Sequence, residues 1–399
     1  MRTRRSNGIH SSLQLNGHGQ PKDSARIQPS IAEDLVREGL RHLGERQMTM
    51  QLRILGGLLA AGTLLLQSCA SLGDGGASRL GLIQQRQSLR CGVSGKIPGF
   101  SFLSADGTYS GLDVDLCKAF AAAFIGDAKA VEYRPLTAPE RFTALRTGEI
   151  DLLSRNTTNN LSRDAVGGNG VSFAPVVFHD GQGLMVKAGS GIRSLADLSG
   201  QSICVGSGTT TEQNLNDAFE SQGIPYQPIK YQDLNQVVAG YLQGRCAAMT
   251  SDRSQLAAAR SGFDNPKQHR ILAGVLSKEP LAPLSVGGDQ QLGDAMRWVV
   301  YALITAEELG ITQANVRDKL AEAKAQPELT QRRRFLGVEG ELGKKLGLAN
   351  DFVVRTIEAT GHYGEIYDRH LGPTSAVPIP RGMNQLYRDG GAMTAPPFQ

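Results

Sequence analysis

Short apolar runs alternate with amphipathic segments twice along this chain, and that alternation limits the folds it can adopt. In the first unit, strands predicted over residues 89–93, 131–135 and 150–153 are separated by helices predicted over 117–124 and 141–147. This β-α-β-α-β order predicts a mainly parallel sheet with helices on both faces. A second unit of the same kind opens at Gly183 and runs to Arg260. The chain is therefore expected to be an α/β protein.

Two extended segments, near 184–187 and near 281–286, bracket the second unit. This arrangement predicts one lobe inserted into another, joined by a two-strand hinge. We expect lobe 1 to comprise 70–184 and 282–399, and lobe 2 to comprise 185–281. A chain of 399 residues is long enough to give each lobe its own core.

The segment 48–69 has the pattern of an export signal. A basic start at Arg53 precedes an apolar run over 54–66, which is shorter than the roughly 20 residues of a membrane span. Its end, 66–69, resembles a bacterial lipoprotein signal, in which Cys69 would carry the lipid. Gln67 departs from the small residue usual there, so plain secretion with cleavage near 68–71 stays open, as does a short core helix.

The polar leader over residues 1–47 has no counterpart in a signal of this kind. We expect either a translation start at Met48 or Met50, or a disordered extension.

The cysteine count fits an exported protein. If Cys69 carries lipid, four cysteines remain, and an even number predicts two disulfides, with three pairings open. These cysteines are Cys91, Cys117, Cys204 and Cys246. The chain has no Cys-x-x-Cys or histidine-rich spacing, so neither a metal site nor a cofactor is expected.

The charge pattern argues against nucleic acid as a partner. The formal net charge is +4, and no sustained basic stripe with interleaved aromatic residues is present.

Residues 154–163 gather hydroxyls, amides and Arg163 directly after a predicted strand. In open α/β sheets, ligands bind at the carboxyl ends of strands. A guanidinium holds a carboxylate through two parallel hydrogen bonds, and Asn156, Thr157 and Thr158 offer further donors. The alternative is a polar loop that satisfies only its own backbone.

Residues 206–212 form a glycine-containing turn that leads into a helix. The first N–H groups of a helix favour an anion, and Thr209 and Thr210 add hydroxyls. A phosphate-binding loop would need a lysine after these glycines, and none is present. A capping box formed by Thr209 and Glu212 explains the same residues without a ligand.

Asp252 follows the strand predicted over 246–249, so its carboxylate is placed to receive an ammonium group. Its alternative role is the N-cap of the next helix. An arginine, a helix N-terminus and an aspartate at strand ends together match the carboxylate and ammonium of an amino acid.

The chain resembles the amino-acid-binding proteins of bacterial ABC uptake systems, the extracytoplasmic solute-binding family for polar amino acids. The general L-amino-acid and glutamate-binding branch is the most similar. The matching segments are 111–120, 141–151, 155–163, 173–175, 180–183, 207–212, 244–246, 250–252, 363–366 and 380–384.

The resemblance implies a type II periplasmic-binding-protein fold and a role for individual residues. Arg163, with Thr158 and Thr210, would hold the α-carboxylate of the ligand, and Asp252 its α-ammonium. Arg141 would meet a side-chain carboxylate, although a salt bridge on the helix surface is its alternative role.

The resemblance also implies ligand preference and disulfide pairing. Ser94 stands where binders of basic amino acids usually have an acidic residue, so glutamate, glutamine and neutral polar amino acids are the expected ligands. The family favours pairing Cys204 with Cys246, and Cys91 with Cys117.

The implied function is capture of an L-amino acid in the periplasm, between two closing lobes, by a monomer without catalytic residues. The closed form would dock on an inner-membrane ABC permease, whose ATPase supplies the energy, and only a lipid anchor would attach the protein to the membrane. Two alternatives stay open: an enzyme on the same fold, such as a dehydratase, and a sensor module for a separate receptor.

Overall fold

The computed structural model describes residues 78–399. The predicted leader 1–47, the signal peptide 48–69 and lipidation at Cys69 lie outside the described residues and stay predictions. Among the helices of residues 78–399, none has the length and apolar character to cross a membrane.

Five strands form the first sheet. In spatial order they are β5 (Val131–Pro135), β1 (Leu89–Val93), β6 (Leu152–Leu153), β14 (Leu284–Val286) and β7 (Val171–Phe173). Strand β1 is parallel to β5 and to β6, whereas β14 is antiparallel to both β6 and β7. A small antiparallel sheet stands beside it: β2 (Lys96–Ile97), β3 (Ser101–Leu103) and β4 (Tyr109–Ser110).

The second sheet repeats this plan. Its strands are β10 (Gln227–Tyr231), β9 (Ser202–Gly206), β11 (Ala248–Asp252), β8 (Phe178–Lys187) and β12 (His269–Ile271), and β13 (Lys278–Leu281) pairs with the first half of β8. Strand β9 is parallel to β10 and β11, and β8 is antiparallel to its partners. Most strands of each sheet therefore run in the same direction, as predicted, and one strand runs against the others and makes the sheet mixed: β14 in the first sheet and β8 in the second.

Helices cover both faces of each sheet. They are α1 (Arg79–Arg86), α2 (Leu112–Phe124), α3 (Arg141–Thr147), α4 (Leu161–Asp164), α5 (Thr210–Glu220), α6 (Leu234–Leu242), α7 (Arg253–Ser261), α8 (Gln290–Glu308), α9 (Val316–Ala325), α10 (Thr330–Phe335), α11 (Leu342–Lys345), α12 (Phe352–Thr360) and α13 (Tyr363–Leu371). Helices α2, α8, α12 and α13 share the largest apolar core with β1. On the second sheet, α5 packs on one face and α6 and α7 on the other.

Strands β8 and β13 form the link between the two sheets. They pair antiparallel from Phe178 opposite Leu281 to Gly181 opposite Lys278. The crossing thus begins before the predicted position near 184–187, since residues 182–186 pair with β11 inside the second sheet. The lobe limits at 184/185 and 281/282 stay a prediction.

The described part of the chain contains two disulfides, with the pairing that the resemblance implied. Cys91 on β1 is joined to Cys117 on α2, and Cys204 on β9 is joined to Cys246, just before β11. Their Cα atoms are 6.2 and 5.6 Å apart. One disulfide therefore stabilises each sheet and the chain packed against it.

A half-buried ion pair connects the C-terminal segment to helix α8 of the first lobe. Arg381 Nη1 lies 2.5 Å from Glu307 Oε1, and the guanidinium stacks over Tyr363 and Tyr367 at 5.3 and 5.4 Å from the ring centres. The neighbouring Asn384 accepts a hydrogen bond from the backbone N–H of His179 in β8, at 2.6 Å. The C-terminal segment therefore contacts the strand that links the two sheets.

We expect Arg381→Met to lower the free energy of unfolding by about 2 kcal/mol, because it leaves the half-buried Glu307 carboxylate without its partner. The melting temperature should fall by roughly 4 °C. Arg388→Met is the matched control, since Arg388 is largely exposed, and its cost should stay below about 1 kcal/mol. Equal melting temperatures for both variants would contradict this account of the segment.

Candidate functional site

A cavity of about 260 Å³ lies between the two sheets, at the ends of three strands. It opens where β6, β9 and β11 end, as the sequence predicted from the rule for open α/β sheets. All eight of the predicted ligand-binding residues line it: Ser94, Arg141, Asn156, Thr158, Arg163, Thr209, Thr210 and Asp252.

Asp252 is a buried carboxylate that has no counter-ion among residues 78–399. It is 4 % exposed and accepts a hydrogen bond from Gln255 Nε2 at 2.6 Å. Its side chain makes no capping bond to α7, so the alternative role as an N-cap is not realised. Burial, followed by the negative charges of Asp180 and Glu279, raises the pKa of Asp252 well above its usual value. A cation beside this carboxylate would stabilise its ionised form, which burial and the neighbouring negative charges disfavour.

Arg163 is the predicted carboxylate-binding residue. It is 6 % exposed, and its Nη1 donates to the backbone carbonyl of Thr158 at 2.8 Å. The guanidinium lies 5.6 Å from the ring centre of Phe142. Burial lowers the pKa of Arg163, while Glu279 and Asp252 raise it. Neither Arg163 nor Asp252 forms an ion pair within residues 78–399, so both charges are open to a ligand.

The alternative role of Arg141, a salt bridge on the helix surface, is contradicted by the structure. The side chain is 2 % exposed, and its buried Nε has no hydrogen-bond partner among the described residues. Its guanidinium lies 4.8 Å from the ring centre of Phe142. Burial and the nearby charges of Arg163 and Arg155 hold its pKa well below the usual value. A second anionic or acceptor group of a ligand would satisfy it.

Asn156 and Ser94 complete the wall on the side of the first lobe. Asn156 has a φ of 37°, and neither polar atom of its buried amide has a partner in the described part of the chain. A left-handed backbone and a buried amide without hydrogen bonds both cost folding free energy, and a ligand that bonds to the amide would offset that cost. Ser94 is also buried, and its N–H donates to Ser101 Oγ at 3.0 Å.

Thr209 does what the capping alternative predicted. Its Oγ1 accepts from the N–H of Glu212 at 3.1 Å and donates to the carbonyl of Gly206 at 2.7 Å. The Glu212 carboxylate binds the N–H of Gly208 instead of that of Thr209, so the capping box is incomplete. Thr209 nevertheless lines the cavity, together with Thr210 and Thr211 of the first turn of α5.

A buried glutamate behind the cavity wall was missed by the sequence analysis. Glu279, on β13, is 1 % exposed. Its Oε2 accepts from the hydroxyls of Thr158 and Thr210, the latter at 2.9 Å. Asn214 Nδ2 and Ser277 Oγ donate to its Oε1 at 2.8 and 2.5 Å. The one sequence signal was an acidic residue at the start of the extended, apolar segment 279–286.

Two further contacts join the lobes around this cavity. Lys96 Nζ, on β2, lies 2.8 Å from Asp233 Oδ2 at the start of α6. The hydroxyls of Thr158 and Thr210 lie 3.3 Å apart. The cavity is thus enclosed by side chains from both lobes.

Comparison with known proteins agrees with this geometry. The family model for bacterial extracellular solute-binding proteins, family 3, matches residues 89–373. The chain belongs to this family. Its fold is the type II periplasmic-binding-protein fold that the resemblance implied.

Three members of known name or structure are similar to this chain over most of its length. The general L-amino acid-binding periplasmic protein AapJ of Rhizobium johnstonii is 43 % identical over 352 residues, which are 88 % of this chain and 100 % of AapJ. The glutamate/glutamine/aspartate/asparagine-binding protein BztA of Rhodobacter capsulatus is 43 % identical over 327 residues, 82 % of this chain and 95 % of BztA. A solved periplasmic binding protein from Brucella ovis, with glutathione bound, is 41 % identical with a TM-score of 0.76, covering 81 % of this chain and 100 % of that one.

These relatives are solute-binding transport proteins and not enzymes. The chain is accordingly a binding protein, and the alternative of an enzyme on the same fold is not supported. As a family, these proteins act outside the cytoplasm.

Proposed function

We propose that this protein is the extracytoplasmic substrate-binding component of an ABC uptake system for L-amino acids. The observation that carries the proposal is a buried cation and a buried anion, Arg163 and Asp252, on the wall of one cavity and without ion-pair partners in residues 78–399. A zwitterionic amino acid supplies both missing charges at once. AapJ is a general L-amino acid-binding protein and BztA binds glutamate, glutamine, aspartate and asparagine, which supports the same ligand class.

The ligand would lie with its α-carboxylate at Arg163 and its α-ammonium at Asp252. The N-terminus of α5, at Thr210, adds backbone N–H donors and a favourable dipole on the carboxylate side. Thr158 and Thr209 border the same end of the cavity. Each buried charge of the protein then has an opposite charge beside it, so binding removes an electrostatic cost already present.

The ligand side chain would extend towards Arg141, Asn156 and Ser94. The unsatisfied guanidinium and amide suit a carboxylate or an amide, and Ser94 brings no negative charge for a basic side chain. Glutamate, glutamine and neutral polar amino acids are therefore the proposed ligands. Glutathione belongs in the same test, because its glutamyl end has a free α-carboxylate and α-ammonium.

Transport would follow from closure of the lobes over the ligand. The link formed by β8 and β13 is the proposed hinge, and the ligand stabilises the closed form because it contacts both lobes. A membrane permease with its ATPase would then receive the ligand from the closed protein. The protein is proposed to act as a monomer, with Cys69 as the candidate lipid anchor.

A thermal-shift screen of the purified protein against the protein amino acids and glutathione tests this function. A ligand that binds only the folded state raises the melting temperature by mass action. We expect clear shifts with glutamate, glutamine or several polar amino acids. A folded protein that shows no shift with any of these compounds would refute the proposal.

Binding should weaken as the pH falls. Asp252 must be ionised to receive the α-ammonium, and burial raises its pKa, so the free protein takes up a proton there at a higher pH than an exposed aspartate would. Below that pKa the dissociation constant should rise by up to about tenfold per pH unit, and binding should release about one proton. Calorimetry in two buffers of different ionisation enthalpy measures both effects. A dissociation constant that does not rise on acidification, over the range in which the protein stays folded, would contradict the assignment.

A further inference from the structure

We propose that Glu279 competes with the carboxylate of the ligand for the hydroxyl protons of Thr158 and Thr210, and so limits the affinity of the site. This inference rests on the proposed function, because it concerns the carboxylate end of the same cavity. Glu279 does not line the cavity itself. It lies directly behind the two threonines that do.

The first step concerns the protons. A threonine hydroxyl has one proton to donate and two lone pairs that accept. In the structure, Thr158 and Thr210 each donate that proton to Glu279 Oε2. Both hydroxyls therefore offer only lone pairs towards the cavity. A ligand carboxylate needs donors, so it gains nothing from these hydroxyls until they turn away from Glu279.

The second step concerns what Glu279 would lose. Its other oxygen keeps two donors, Asn214 Nδ2 at 2.8 Å and Ser277 Oγ at 2.5 Å. No lysine, arginine or histidine within the described chain comes within ion-pair distance of it. Its negative charge is thus held by neutral donors alone. Turning both threonines towards a ligand would leave half of a buried carboxylate unsatisfied.

The third step concerns charge. A ligand carboxylate at Arg163 would contact the same two hydroxyls as Glu279. Two carboxylates that are separated only by these hydroxyls repel each other in a buried site. Glu279 is also placed on β13 of the hinge and accepts from both lobes. Competition and repulsion act in the same direction, so Glu279 makes the bound ligand easier to release. A binding protein that must hand its ligand to a permease has use for such a residue.

The test is calorimetric titration of L-glutamine into Glu279→Gln. A glutamine can direct its carbonyl oxygen to Asn214 and Ser277 and its amide N–H groups to the threonine oxygens. Both hydroxyl protons are then free for the ligand. We expect the dissociation constant to fall by about tenfold. Glu279 acting only as a structural hydrogen-bond acceptor predicts unchanged or weaker binding, and that result would overturn the inference.

A second ligand separates competition from a general change in the protein. L-Glutamine α-amide lacks the carboxylate, so Glu279→Gln should not bind it more tightly than the wild type does. A gain of the same size with this analogue would overturn the inference. Glu132→Gln, the same change at an exposed position of β5, is the matched control and should leave both dissociation constants unchanged.

A second variant covers the case in which Glu279→Gln does not fold. Asn214→Lys places an ammonium beside Oε1 of Glu279 from a partly exposed position, and Asn216→Lys makes the same charge change at an exposed position of α5. Only Asn214→Lys should bind L-glutamine more tightly, by about threefold. Equal effects of the two lysines would contradict the role of Glu279. A wild-type protein that binds no amino acid would instead refute the proposed function.

Discussion

Asp252→Asn is expected to weaken amino-acid binding by about thirtyfold or more, since removing one partner of a buried charge pair costs roughly 2–5 kcal/mol. The substitution keeps the shape of the side chain and removes only its charge. The α-ammonium of the ligand would then be buried against a neutral amide. Titration of L-glutamine by calorimetry measures the loss.

The same substitution should not destabilise the unliganded protein. Burial raises the pKa of Asp252, which means that the ionised carboxylate costs folding free energy in the absence of a ligand. The melting temperature of unliganded Asp252→Asn should therefore equal or exceed that of the wild type. Asp264→Asn, at an exposed position of the second lobe, is the control and should leave binding unchanged. Near-normal binding by Asp252→Asn would show that the ammonium lies elsewhere.

Arg163→Met is expected to weaken binding by a similar factor, about thirtyfold or more. Methionine keeps the apolar contact with Phe142 but removes the fork that pairs with a carboxylate. Arg163→Lys retains the charge without the paired geometry, so it should recover only part of the loss. The dissociation constant for L-glutamine is again the measurement.

The ligand analogue provides the specific check for Arg163. L-Glutamine α-amide has no carboxylate, so the arginine variants and the wild type should bind it with similar, weak affinity. Arg146→Met, on the exposed face of α3, is the matched control and should bind L-glutamine normally. Binding of L-glutamine by Arg163→Met within about threefold of the wild type would rule out this carboxylate position.

The strand-end part of the site could be predicted from the sequence because each motif is local. Residues 154–163 follow β6, residues 206–212 begin at the last residue of β9, and Asp252 is the last residue of β11. The parallel pairing of β9 with β11 and of β1 with β6 then brings such ends to the same edge of each sheet. The local sequence pattern and the strand topology both place these motifs at one edge of each sheet, so their location could be predicted from the sequence.

Glu279 could not be predicted in the same way because its partners are distant in sequence. It lies 121 residues from Thr158 and 69 from Thr210, and only the crossing of β13 between the lobes brings them together. The competing role of a threonine hydroxyl is likewise invisible in the sequence, since either direction of donation fits the same residue type.

The start of α2 was placed too late for a related reason. The sequence predicted a helix from residue 117, whereas α2 begins at Leu112. Asp113 and Asp115, in its first turn, look like loop residues in the sequence but are buried. Asp113 accepts from Ser154 at 3.2 Å, and Asp115 from His370 at 2.7 Å. These distant partners make two buried carboxylates tolerable within a helix.

Titration calorimetry of the wild-type protein with L-glutamate and L-glutamine, followed by the other protein amino acids, tests the central claim most directly. The account predicts saturable binding of one ligand per chain at micromolar or tighter dissociation constants, with the ligand recovered chemically unchanged. A folded protein that binds none of these amino acids, or that converts the ligand, would contradict the account.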